Sequence, residues 1–192
     1  MIFIKKVFLI SCLFFTSLFS KNIVGLNVNN SDLEVHGAFV LNKFLNVDGN
    51  SAFVGNVNYI HGENNDEFNW GLGVYQSYDE VDGLLFGFGL NNVYTEDFIA
   101  IPLYAHIMYV LPFMDYFPKT NLSAKIIYAP EVLTFSKGDS YLEYRGEIDF
   151  DVINNISVYA GYRNIQAEHN DRIYINDFDD YDSFYGGLKF NF

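Results

Sequence analysis

Eight charged residues gather on one side of an alternating pattern: Lys125, Glu131, Glu143, Arg145, Glu147, Asp149, Arg163 and Lys189. The stretch 140–152 shows the pattern best. Leu142, Tyr144, Ile148, Phe150 and Val152 share one parity, and Glu143, Arg145, Glu147, Asp149 and Asp151 share the other. A period of two belongs to a β-strand with unlike faces. Acids and bases on a common enclosed face can do two things. They can neutralise one another, because an isolated buried charge is costly, or they can line a narrow aqueous path for small solutes. Mutual neutralisation is the expectation, with Arg145 and Arg163 paired to carboxylates of that face. The path is the alternative.

Other reactive residues are scattered. His169 and Asp171 stand two apart in the acidic stretch 168–182, a spacing that could supply a base and an orienting acid. An enzyme also needs a nucleophile or an activated water within reach of that base. The acids of 177–182, with Glu168 and Asp171, could offer oxygens to Ca²⁺. They lack the spacing and glycine of an EF-hand loop, so a solvated loop is expected. His36, His61 and His106 lie in strand-like segments without ligand spacing, and no phosphate loop, CxxC pair or nucleophile elbow occurs. The expectation is no enzyme, no catalytic residue, no metal and no cofactor, with an outer-membrane enzyme using His169 as a distant alternative.

Ten alternating segments must position these charges: residues 23–29, 33–42, 51–61, 68–78, 83–92, 102–111, 121–129, 140–152, 156–165 and 183–192. Most approach the ~9–11 residues that a tilted strand needs to cross a bilayer. Turn signals divide them, among them residues 29–32, 62–66 and 78–82, and Pro102 is tolerated at a strand start. The even count suits a closed, single-chain up-and-down barrel. Eight strands are the alternative if two weak segments do not pair. The final segment carries Phe184, Leu188, Phe190 and Phe192 at one parity. That terminal pattern is like the closing strand of bacterial outer-membrane barrels, where it is read as an assembly signal.

At the other end, Lys5 and Lys6 precede an apolar run at 7–19 and then Ser20. This is the layout of a secretory signal peptide, residues 1–20, followed by a barrel at 21–192. The run is shorter than the roughly 20 residues of a spanning helix. Cys12, the one cysteine, closes a Leu9-Ile10-Ser11-Cys12 pattern that also fits lipoprotein processing, but a cut there would leave a very short apolar core. The exact bond stays open, since Leu18 stands where a smaller residue is usual.

Composition excludes one partner class. The chain has 11 basic and 24 acidic residues, net −13; losing Lys5 and Lys6 leaves nine against 24, or −15. Such a chain repels nucleic acid. Aromatics make up 19%, with 20 Phe and 15 Tyr, which suits strands and membrane interfaces. Alternation alone does not say which face meets solvent. Gly71, Gly73, Gly87, Gly89, Gly161 and Gly187 cluster at the polar parity, where a small barrel has least room. Trp70, Tyr59, Tyr109, Tyr128 and Tyr162 fall at the apolar parity, as in an interfacial girdle. The apolar face is therefore expected outside, in lipid, rather than inside as in a soluble ligand-binding barrel.

The stretches Tyr128-Ala129-Pro130-Glu131-Val132-Leu133-Thr134-Phe135, Tyr141-Leu142-Glu143-Tyr144, Val158-Tyr159-Ala160-Gly161-Tyr162-Arg163-Asn164-Ile165 and Tyr185-Gly186-Gly187-Leu188-Lys189-Phe190 resemble the YfaZ family of outer-membrane proteins. The resemblance is best over 121–192. It implies an outer-membrane barrel of a Gram-negative bacterium and brings no activity. The expected partners are outer-membrane lipid and lipopolysaccharide, and the barrel assembly machinery. The expected role is structural or surface interaction, with a narrow, porin-like channel as the alternative; oligomeric state is left open.

Overall fold

A computed structural model describes residues 22–47, 51–62, 66–96, 98–112, 118–136, 138–169 and 181–192. Twelve strands form one antiparallel sheet: β1 Ile23–Val28, β2 Asp32–Val40, β3 Ser51–Gly62, β4 Asp66–Ser77, β5 Leu84–Tyr94, β6 Phe98–Ala100, β7 Leu103–Val110, β8 Thr120–Ala129, β9 Thr134–Ser136, β10 Gly138–Ile153, β11 Ile156–His169 and β12 Tyr181–Asn191. Ten of them pair in chain order, and β1 pairs with β12 to close a cylinder. The ten expected segments are these ten strands, so the eight-strand alternative is set aside. The signal-peptide expectation lies outside the described residues.

The two short strands escape alternation analysis. β6 pairs with β5 and β9, making a three-residue-wide flap at one rim. Three residues hold too little alternation to register as a strand.

Following the pairings once round displaces the register by about 12 residues, which tilts ten strands by about 40°. With that stagger each of the ten barrel strands has a neighbour on both sides, so none of the ten is left as an edge. The first and last strands meet at one rim, where the Asn22 N–H donates to the Phe192 carbonyl at 2.7 Å and the reverse bond is 3.0 Å. We call this the terminal rim. It also carries the helical turn Asn42–Leu45 and the turns at 78–83 and 154–155. Gly83 has φ 79°, a left-handed conformation that glycine adopts without steric cost. At the far rim the Asn29 carboxamide oxygen accepts from the Ser31 and Asp32 N–H groups, an Asx turn that starts β2.

The alternation sorts the faces as expected. Leu26, Val35, Trp70, Leu72, Phe88, Leu90, Ile126 and Val158 are exposed on the outside, while Asn27, Glu34, Asn69, Asn91 and Ser157 at the other parity are buried inside. Outward aromatics sit side by side near the far rim: Tyr59, Phe68 and Tyr94 share one register row, and the Tyr162 and Phe184 rings lie 5.1 Å apart. Inside, aromatic rings lie over glycines of the neighbouring strand. A Cβ on Gly87 would stand 2.4 Å from the Tyr75 ring, and one on Gly161 would stand 2.6 Å from the Tyr185 ring. The polar-parity glycines thus make room for tyrosines in the bore.

Candidate functional site

The interior divides into two layers. In the half nearer the far rim, β2 brings Asp32 and Glu34 inward, β4 brings Glu67 and Asn69, β10 brings Tyr141, Glu143 and Arg145, and β11 brings Arg163. The Arg163 guanidinium, with no exposed surface, donates to Asp32 at 2.6 Å and to Glu34 at 2.5 Å. Arg145 donates to the other Glu34 oxygen at 2.6 Å and also to Glu143. Glu34 further accepts from the Asn27 carboxamide at 2.9 Å. The Tyr141 hydroxyl donates to Glu143 at 2.7 Å, and Glu67 accepts from Asn69 at 3.0 Å.

Arg145 and Arg163 are direct cross-strand partners in register. Like charges in that relation repel. Glu34 reconciles them by giving one oxygen to each, from a strand on another part of the wall. Around this network packs an apolar cluster that includes Ile60, Val93, Ile127, Ala129, Ile165 and Ala167. Side chains therefore occupy the bore at this level.

The second layer lies toward the terminal rim. Lys189 on β12 donates to Glu147 and to Asp149, both at 2.6 Å, and its ammonium stands 4.2 Å from the centre of the Tyr159 ring. The Tyr185 hydroxyl donates to the other Glu147 oxygen at 2.7 Å. Beside this group is a chamber of about 380 Å³, lined from Glu34 and Arg145 down to Ala52, Leu85 and Met108. A larger hollow of about 590 Å³ lies against the outer face along Ala124, Gly146 and Ala160 and belongs to the apolar surface.

Of the eight charges expected inside, seven face the bore: Lys125, Glu143, Arg145, Glu147, Asp149, Arg163 and Lys189. Glu131 does not. Pro130 ends β8, and the chain turns through a 3₁₀ segment, Glu131–Leu133, at the far rim, where Glu131 is exposed. Its place at the right parity held only while the strand continued. Three interior acids, Asp32, Glu34 and Glu67, fall outside the expected set, although Glu34 between outward Leu33 and Val35 carries the same signal. Phe184, Leu188, Phe190 and Phe192 all point outward and are exposed. The His169 side chain, Asp171 and the acidic loop through residue 180 lie outside the described residues. Among the described residues no cluster of three acids, histidines or cysteines could hold a metal ion.

The family model described as YfaZ precursor matches residues 113–192, over the region where the resemblance was read. No curated protein matches the sequence. Solved structures that share the fold include two of the KdgM porin. The KdgM porin in complex with disordered oligogalacturonate superposes with a TM-score of 0.51 at 9% identity, covering 90% of this chain and 99% of that one. The KdgM porin without it gives 0.51 at 8% identity with the same coverage. This chain has a porin-like, outer-membrane type of β-barrel fold, and its apolar outer face is the face such barrels turn to lipid.

Proposed function

We propose that the protein resides in the outer membrane of a Gram-negative bacterium as a filled barrel with a structural or surface-interaction role. The terminal rim then faces the periplasm, where barrels of this kind keep their short turns. The observation that carries this reading is Arg163. It is wholly buried between Asp32 and Glu34, and among the described residues it packs with Arg145, Glu143 and the apolar cluster into the half of the bore nearer the far rim. Breaking such a network costs more than breaking a surface pair, because the stranded charge has no water to turn to.

A second reading, a narrow channel, draws on two observations. A chamber of about 380 Å³ already lies in the bore, and two of the similar solved structures are porins. Conduction would then require the Arg163–Glu34 layer to rearrange.

Planar-bilayer recording of the refolded protein separates the two. The filled barrel is silent, and Arg163→Ala combined with Glu34→Ala conducts. Stepwise conductance of the unaltered protein overturns the structural reading in favour of the channel.

A further inference from the structure

Four residues share one cross-strand row inside the bore: Asn27 on β1, Glu34 on β2, Ile60 on β3 and Glu67 on β4. Glu34 and Glu67 flank Ile60, yet their surroundings differ. Glu34 accepts from both arginines of the layer. Glu67 is 1% exposed, and among the described residues no basic side chain lies within ion-pair distance of it. The titratable and charged groups that face it are Glu34 from β2, Tyr141, Glu143 and Arg145 from β10, and Arg163 from β11. Both guanidiniums are turned to other carboxylates, and β3 and β5 bring the apolar Ile60 and Val93 to this level.

Tyr141 shows where a proton belongs. Its hydroxyl oxygen stands 2.7 Å from Glu143 and 3.4 Å from Glu67. A hydroxyl has one proton, and the shorter contact takes it. The longer contact then sets two acceptor oxygens face to face, unless the Glu67 carboxyl carries a proton and donates it to the Tyr141 oxygen. The other Glu67 oxygen accepts from the Asn69 carboxamide at 3.0 Å, as the carbonyl oxygen of a neutral carboxyl would. Burial points the same way. A carboxylate cut off from water and from any cation is costly, and two carboxylates that share one site do not both ionise readily.

We propose that Glu67 holds a proton at neutral pH and acts as a pH-sensitive latch on the half of the bore nearer the far rim. In the latched state hydrogen bonds run unbroken from Glu67 through Tyr141, Glu143, Arg145 and Glu34 to Arg163, tying β4, β10, β2 and β11 across the bore. In alkaline solution hydroxide takes the Glu67 proton. Glu67 is then a second carboxylate beside Glu143, without a cation to turn to, and its contact with Tyr141 becomes repulsive. The β4 side of the network parts from the β10 side and admits water past Glu67. The effect on conduction rests on the filled-barrel reading; the proton on Glu67 does not.

Infrared spectroscopy of the folded, detergent-solubilised protein in neutral buffer reads the proton through the carbonyl stretch of a carboxylic acid. The band should vanish in Glu67→Gln, which keeps the shape of the neutral carboxyl, and persist in Glu143→Gln. A band unchanged in Glu67→Gln, or lost in Glu143→Gln instead, overturns the assignment. No such band from the unaltered protein overturns it outright and needs no variant to fold. In planar bilayers, alkaline buffer should bring stepwise openings to the unaltered protein about tenfold more often than to Glu67→Gln. Silence at neutral pH with an equal alkaline response from both proteins overturns the latch alone. Conductance of the unaltered protein already at neutral pH overturns the filled barrel and the latch together, and the infrared band still decides whether Glu67 carries the proton.

Discussion

Arg163 on β11 donates to Glu34 on β2 at 2.5 Å across the bore, joining residues 129 positions apart in the chain. The same carboxylate holds Arg145, so removing Glu34 frees two adjacent guanidiniums to repel each other. Arg163→Met should destabilise the barrel by about 3–5 kcal/mol, the usual cost of stranding one member of a buried pair. Denaturant titration of folded protein reads this directly. A double-mutant cycle with Glu34→Gln should show coupling above ~1 kcal/mol, and additive effects would mean the contact does not form.

The tyrosine-over-glycine packing makes a second prediction. Gly87→Val places branched carbons where the Tyr75 ring lies, 2.4 Å from the position of a Cβ. Overpacking of this kind costs about 1–3 kcal/mol. Pairing it with Tyr75→Ala should recover part of the lost refolding yield. Full tolerance of Gly87→Val alone would show that the ring is elsewhere.

Leu72 lies mid-strand on the outer face and is 55% exposed. Arginine there would sit near the bilayer centre, at a cost of roughly 2–4 kcal/mol. Leu72→Arg should fold poorly into vesicles while Leu72→Ala folds well. An arginine as well tolerated as alanine would place that face in water.

Trp70 is the single tryptophan and faces outward beside the aromatic row. Its emission should shift to shorter wavelength on folding into vesicles and be quenched by lipids carrying a quencher on the acyl chain. Quenching by aqueous iodide alone would contradict the outward, lipid-facing assignment.

Much of this architecture was legible because a period of two needs no tertiary information. Leu33-Glu34-Val35 and Glu143-Tyr144-Arg145 each declare which residue points in. Depth and partnership are another matter. Glu34 meets Arg145 and Arg163 because the sheet closes with a stagger of about 12 residues, and stagger is a property of the whole cylinder rather than of any segment. Lys125 reads in sequence like Lys189, yet only the closed sheet sets two carboxylates within ion-pair distance of Lys189 and, among the described residues, none within that distance of Lys125. Glu131 shows the opposite failure, where parity was carried past Pro130 into a turn that no longer alternates.

The seam between β1 and β12 joins residues 23–28 to residues 186–191. Until both arrive, each half-built sheet offers two unpaired borders to any neighbour able to add a strand. Closure is therefore the last event available to this polypeptide, and it cannot proceed piecemeal from the ribosome outward.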